Sequence, residues 1–249
     1  MNKIHVITQK ELVEPDRLKE ATVVVIDVFL ATSTITFLLN QNYHPVIATE
    51  NAPNASTIAG QMDIDSLLLG ENNGNEIPGF LFPDPRLIET VQQSKPAIIC
   101  STNGTRAIEA AKKAKHLYIS SITNGHLVAE QLRKHVNEGP IVLICSGNGG
   151  GFSLEDFIGA GHIIDRLLKK ESFVRTDAAK LAQKAFLDSE KQGFHDLYDV
   201  DTRHFLKQLN YLETVDYVID HFENVSVLPW YKNGEIVDLF KVTGGGQHE

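Results

Sequence analysis

Cysteine is scarce in this chain of 249 residues: Cys100 and Cys145 are the two present, each closing a short apolar run. Thiols placed inside core strands argue against a disulfide framework and suit a reducing compartment, so the cytoplasm is expected. Long apolar stretches are also missing. None approaches the ~20 apolar residues a spanning helix needs, and the opening MNKIHVITQKELVEP has no apolar signal core. Positive charge is in deficit, with 23 Lys plus Arg against 32 Asp plus Glu and a formal net charge of −9. That balance argues against a nucleic-acid groove or an anionic membrane surface. Small molecules, or other copies of the chain in a homo-oligomer, are the partners left. Two nucleotide signatures are absent as well: there is no Gly-Lys-Ser/Thr, and Phe152 stands where a dinucleotide fingerprint needs its last glycine.

The chain does contain alternating strand and helix signals. Ile141–Gly161 reads IVLICSGNGGGFSLEDFIGAG: a short β-branched run suited to a strand buried on both faces, a glycine turn, then a helix opened by Ser153-Leu154-Glu155-Asp156. Strand signals recur at Lys3–Ile7, Thr22–Asp27, Pro45–Ala48, Leu67–Gly70, Pro96–Cys100 and Leu117–Ser120, with helical stretches between most of them. Thr-Asn-Gly follows two successive strands, at 102–104 and 123–125. Asn72–Pro85 reads as a loop that covers a site. Beyond Lys170 the pattern changes to helices at Arg175–Leu187, Thr202–Leu209 and Leu212–Phe222, and a hairpin turning at Asn233-Gly234. The expected fold is therefore α/β, a layered α/β/α arrangement with a parallel or mixed central sheet. A smaller C-terminal helix–hairpin portion is expected to pack on it as a layer. The chain reads as a single domain, 1–249, divisible into a main sheet lobe, 1–170, and a C-terminal lobe, 171–249.

In open α/β sheets ligands gather outside the carboxyl ends of strands, which directs attention to the turns there. Asp27 and Glu71 each stand just past a strand. Gly147, Gly149 and Gly150 belong to a turn whose backbone N–H groups, at a helix N-terminus, suit a phosphate. Glu155 and Asp156 read equally well as Mg²⁺ ligands or as first-turn capping residues. Thr32, Ser33, Thr102, Asn103, Gly104 and Thr105 supply hydroxyls, an amide and backbone at two helix starts, where each alone suits an N-cap. Arg106 is the one arginine in these turns.

The pieces VVVIDVFLATSTI, LLGENNGNEIPGF, CSTNGTRAI, CSGNGGGFSLEDFIGAG and VLPWYKNGEI resemble, in order, the 2-phosphosulfolactate phosphatase family. The resemblance implies Mg²⁺-dependent hydrolysis of a small anionic phosphomonoester, 2-phosphosulfolactate, to sulfolactate and phosphate. It makes Asp27, Glu71, Glu155 and Asp156 candidates for catalysis, with Asp27, Glu155 and Asp156 as the metal set. The hydroxyl and glycine turns, with Arg106, would hold substrate. Leu30 and Asn72 stand where the family usually has arginines. They leave an alternative: a phosphate- or organic-anion-binding protein without turnover.

Overall fold

A computed structural model describes residues 3–90 and 93–244. Its strands are β1 (Lys3–Ile7), β2 (Thr22–Ile26), β3 (Tyr43–Thr49), β4 (Leu67–Asn72), β5 (Asn75–Glu76), β6 (Lys95–Cys100), β7 (His116–Ser120), β8 (Ile141–Cys145), β9 (Val174–Arg175), β10 (Pro229–Lys232) and β11 (Glu235–Asp238). The helices are α1 (Ala31–Asn40), α2 (Ala52–Gln61), α3 (Gly104–Ala111), α4 (Gly125–Leu132), α5 (Leu154–Leu168), α6 (Asp177–Lys191), α7 (Asp201–Gln208), α8 (Leu212–Asp220) and α9 (Leu239–Gly244). None of the described helices is long and apolar enough to cross a membrane.

Among the described residues the strands form one mixed sheet in the order β5-β4-β6-β3-β11-β10-β7-β2-β8-β1-β9. Strand β2 is TVVVI, and it runs parallel to both neighbours, β7 and β8. Its side chains alternate, so Val23 and Val25 enter a core with α1 and α3, while Val24 and Ile26 enter one with α4, α5 and α6. Burial on both faces is why this run is apolar throughout instead of alternating with polar residues.

The hairpin corrects the expectation of a separate layer. Asn233 and Gly234 both have positive φ, 52° and 95°, as a tight hairpin turn requires. The hairpin nevertheless lies inside the sheet, with β11 antiparallel to β3 and β10 antiparallel to β7. Two parallel strand sets would otherwise each expose an unpaired edge, and the hairpin satisfies both. The connection also shapes the site. Three successive antiparallel pairings, β3 to β11 to β10 to β7, would point the carboxyl ends of the two parallel sets in opposite directions if the sheet were flat. Gly104, which follows β6, instead lies against Asp27, which follows β2. The sheet is therefore strongly curled, and each junction is pinned at one register, Trp230 opposite Tyr118 and Ile236 opposite Val46.

On the outer face α5 and α6 are clasped by an ion network. Arg166 reaches Glu223 (2.6 Å), Glu190 (2.7 Å) and Asp165 (2.8 Å), and its guanidinium lies 5.2 Å from the Phe186 ring. Burial alone would raise the Glu223 carboxyl, but hydrogen bonds from His162 and Arg166 outweigh it and hold the group at about 2. A depressed carboxyl contributes stability above its unfolded value and loses it as pH falls through the folded one. Glu223→Gln is thus expected to lower the melting temperature at neutral pH. The gap from the unaltered chain should close as pH falls from 4.5 towards 2; matching melts at neutral pH would contradict this.

Candidate active site

The curl brings the turns after β2, β4, β6 and β8 to one place. They line a cavity of about 320 Å³ with Asp27 and Glu71 in its wall, joined by Ser101, Thr102, Asn103, Asn148, Gly149 and Thr202. Leu30, Phe29, Phe82, Phe205 and Leu206 supply the apolar side.

Asp27 follows β2 directly and is buried. One carboxylate oxygen accepts from the Ala31 N–H at 3.3 Å. A Cβ on Gly104 would meet the other oxygen at 2.4 Å, so only glycine lets the first turn of α3 approach this closely. Burial first, then the charges of Glu71 and Glu155, raise the carboxyl to about 7 against the lowering effect of the Ala31 and Gly104 N–H groups. An acid placed there exchanges its proton near neutrality.

The other carboxylates are arranged differently. Glu71 is half-buried and accepts from the Thr102 N–H (2.5 Å), the Thr102 hydroxyl (2.9 Å) and the Gly74 N–H (2.6 Å), so it anchors the rim formed by Asn73 and Gly74. Glu71→Gln would put an amide donor against one of these donors. It is expected to cut kcat/KM by about 10- to 100-fold, the value of a charged hydrogen bond, with little change in melting temperature; steady-state assays and thermal melts test this. Asp156 accepts from the Val28 N–H (2.9 Å) and the Gly147 N–H (3.1 Å), tying the end of β2 to the turn after β8. Its own N–H donates to Ser153 Oγ, so Ser153 is the N-cap while the Asp156 carboxylate is spent elsewhere. Burial, then the neighbouring Asp27 and Glu155, push the Asp156 carboxyl well up. Glu155 is also buried and raised, by burial first and by Asp201, and lies beside Thr202 in an adjoining hollow.

The predicted phosphate-holding groups divide in the same way. Thr102, Asn103 and Gly149 line the cavity. Thr32 and Ser33 are fully buried under it, with the Thr32 hydroxyl bonded to the Ser120 carbonyl (2.6 Å) and Ser33 to the Val28 carbonyl (2.7 Å). Thr105 and Ser101 cap each other: the Thr105 N–H donates to Ser101 Oγ (3.1 Å) and the Ser101 N–H to Thr105 Oγ1 (2.8 Å). Arg106 is exposed and faces a neighbouring hollow with Glu50, Asn72 and Glu76. In the glycine turn, the Gly147 N–H goes to Asp156, Gly149 to Asn103 Oδ1 (3.3 Å), Gly151 to the Asn148 carbonyl (2.8 Å), and Asn148 to the Gly151 carbonyl (3.0 Å). Gly150 has φ +85° and its carbonyl accepts from Gln9.

Residues that sequence reasoning missed come from distant segments. Lys10 Nζ donates to Asn103 Oδ1 at 2.9 Å and pairs with Glu11, placing an ammonium group beside the cavity's polar wall. Thr202, Phe205 and Leu206 arrive on α7. The covering loop is bolted down by Asp84, whose carboxylate holds Arg86 (2.7 Å) and the Thr214 hydroxyl (2.7 Å), and by Phe82 stacked on Tyr211 at 3.8 Å.

A half-apolar cavity with a buried, near-neutral carboxyl at the carboxyl edge of an α/β sheet defines a small-molecule enzyme. The family model described as 2-phosphosulpholactate phosphatase matches residues 7–234. A Clostridium acetobutylicum protein named probable 2-phosphosulfolactate phosphatase is 33% identical over 244 residues, covering 94% of this chain and all of that one. One from Clostridium perfringens strain SM101, with the same name, is 34% identical over 241 residues, 94% of this chain and 95% of its own. The chain belongs to the 2-phosphosulfolactate phosphatase family, whose class is phosphoric monoester hydrolase. These names lend no support to a form without turnover.

Proposed function

We propose that this chain hydrolyses 2-phosphosulfolactate to sulfolactate and phosphate, with Mg²⁺ at Asp27. The observation that carries the reading is Asp27 itself, a buried carboxyl held near 7 in the wall of the cavity. Asp27, Glu155 and Asp156 are all raised by burial and by acidic neighbours, and no Lys or Arg is among the largest influences on them. Such a cluster favours a divalent cation. The three do not form a ready cage, since their ligand oxygens do not all come within 4.8 Å of one another. Mg²⁺ does not need one; it commonly takes one or two carboxylates and completes its shell with water and phosphate oxygens. Asp27 is the residue to hold it, with Glu155 and Asp156 adding negative charge behind. Bound there, the ion would neutralise phosphate charge.

The remaining work falls to the chain's own groups. Asn103 and Asn148 present side-chain amides to the substrate oxygens, and Lys10 draws anionic charge to the Asn103 side. Phe82, Phe205 and Leu206 exclude water from the opposite wall. The buried, unpaired thiols of Cys100 and Cys145 support the cytoplasm as the compartment. The test is phosphate release from 2-phosphosulfolactate and a panel of small phosphomonoesters, with and without Mg²⁺. Turnover of 2-phosphosulfolactate that needs Mg²⁺ is the expected result; no release from any of them with the metal present overturns the reading.

A further inference from the structure

A cluster of two histidines and a glutamate lies at the amino end of β7, away from the cavity at the strands' carboxyl ends. His116 opens β7, His135 lies just beyond α4, and Glu138 follows three residues later. We propose that His116, His135 and Glu138 form a zinc-type transition-metal site.

Geometry is the first support. His116 Nε2 is 3.2 Å and His135 Nδ1 3.4 Å from the same oxygen, Glu138 Oε2. One ligand atom from each residue lies within 4.8 Å of the other two, and among the described residues this is the one His/Cys/Asp/Glu trio that does so. Ligands about 2.0–2.2 Å from a tetrahedral zinc stand roughly 3.3–3.6 Å from one another. Two edges of the triangle are therefore already close to the required length. The third edge, between the two imidazoles stacked at 4.1 Å with 26° between their planes, lies within 4.8 Å.

Unmet bonding is the second support. His135 Nδ1 is buried and, although 3.4 Å from Glu138 Oε2, makes no well-aligned hydrogen bond. The opposite nitrogen, Nε2, lies 2.8 Å from the Tyr118 hydroxyl, and Gln131 donates to that hydroxyl at 3.1 Å. A partner on the far nitrogen fixes the ring and leaves the near one aimed at Glu138, the usual arrangement behind a metal-bound histidine. Lys115 Nζ also reaches Glu138 Oε2, at 3.1 Å, but both side chains are at the surface, 41% and 38% exposed, and such surface pairs give way readily.

The donors set the ligand class. Two imidazoles and one carboxylate with an open fourth position suit Zn²⁺ or a similar borderline ion, whereas Mg²⁺ prefers oxygen. An ion here would cross-link the first residue of β7 to the segment between α4 and β8, independently of the phosphatase chemistry.

Calorimetric titration of the full chain with Zn²⁺, Mg²⁺ being present in excess, is the test. Expected are one zinc per chain, a zinc-dependent rise in melting temperature, and visible absorption typical of a four-coordinate ion when Co²⁺ replaces zinc. Glu138→Gln and His116→Ala should each weaken zinc binding by at least about tenfold and leave Mg²⁺-dependent phosphate release unchanged. Glu138→Gln alters an exposed side chain and leaves the histidine stack intact, so it guards against loss of binding through misfolding. The proposal is overturned if the unaltered chain binds no zinc, or if Glu138→Gln binds it as tightly as the unaltered chain does.

Discussion

Asp27→Asn is expected to reduce turnover by about 10²- to 10⁴-fold, the range for loss of a positioned acid–base group, without unfolding the protein. The amide oxygen can still accept the Ala31 N–H, and although its NH2 then faces the Gly104 N–H, its size matches the carboxyl, so the end of β2 and the start of α1 keep their geometry. What it lacks is the negative charge that would hold a cation. Stability should move the other way. A carboxyl raised from 3.8 to about 7 binds its proton more tightly in the folded state, so folding stability is lost as pH rises between those values. In metal-free protein the loss is on the order of a few kcal/mol. The asparagine variant escapes it, and should melt above the unaltered chain at mildly alkaline pH and lose that advantage near pH 4. Rate measurements together with melts at the two pH values examine both halves. A variant that keeps more than about a tenth of wild-type kcat removes Asp27 from the centre of the site.

Gly161→Ala should produce the largest loss of stability. Gly161 lies in α5 where it crosses α6, and a Cβ there would sit 2.0 Å from the Ala182 carbonyl oxygen, 2.6 Å from its carbon and 2.8 Å from Phe186 Cβ. Two of these atoms are backbone, so no rotamer change relieves the clash; the helices must separate. The cost is expected to reach about 3 kcal/mol, the upper part of the range for overpacked cores. In a chain of this size that lowers the melting temperature by roughly 6–12 °C. Separation would also disturb the packing of Phe186 under Arg166. Gly60→Ala provides the contrast. It lies in α2 with nothing within 4 Å of an added Cβ, so alanine's helix preference should stabilise the chain by up to about 1 kcal/mol. A Gly161→Ala melt within about 1 °C of the parent would falsify the close-crossing argument.

The two glycines show how differently one residue type is constrained. Gly104 belongs to the Thr-Asn-Gly turn and reads from sequence as a phosphate-binding glycine, yet what requires glycine there is the approach of α3 to Asp27. Gly161 lies in a motif shared with the family but does its work at a helix crossing on the far side of α5. Neither neighbour is close in sequence.

The sequence by itself determined the strand–turn–helix order, the mixed α/β class, the hairpin turn at Asn233-Gly234 and the family. These follow from local periodicity, turn chemistry and ordered motifs, all of which are written in contiguous residues. It also placed Asp27 at a strand end, where ligands collect. Only the tertiary structure decided which polar groups are left for chemistry. The N–H groups of Gly147 and Gly149 are taken by Asp156 and Asn103, the hydroxyls of Thr32 and Ser33 by backbone carbonyls, and Glu71 by Thr102 and Gly74. A buried polar group must find a partner, and the partner depends on how distant segments meet. The same reason hid Lys10, Thr202 and Phe205. The hairpin entered the sheet and curled it, bringing the ends of two parallel strand sets around Asp27, and no local pattern encodes that curl.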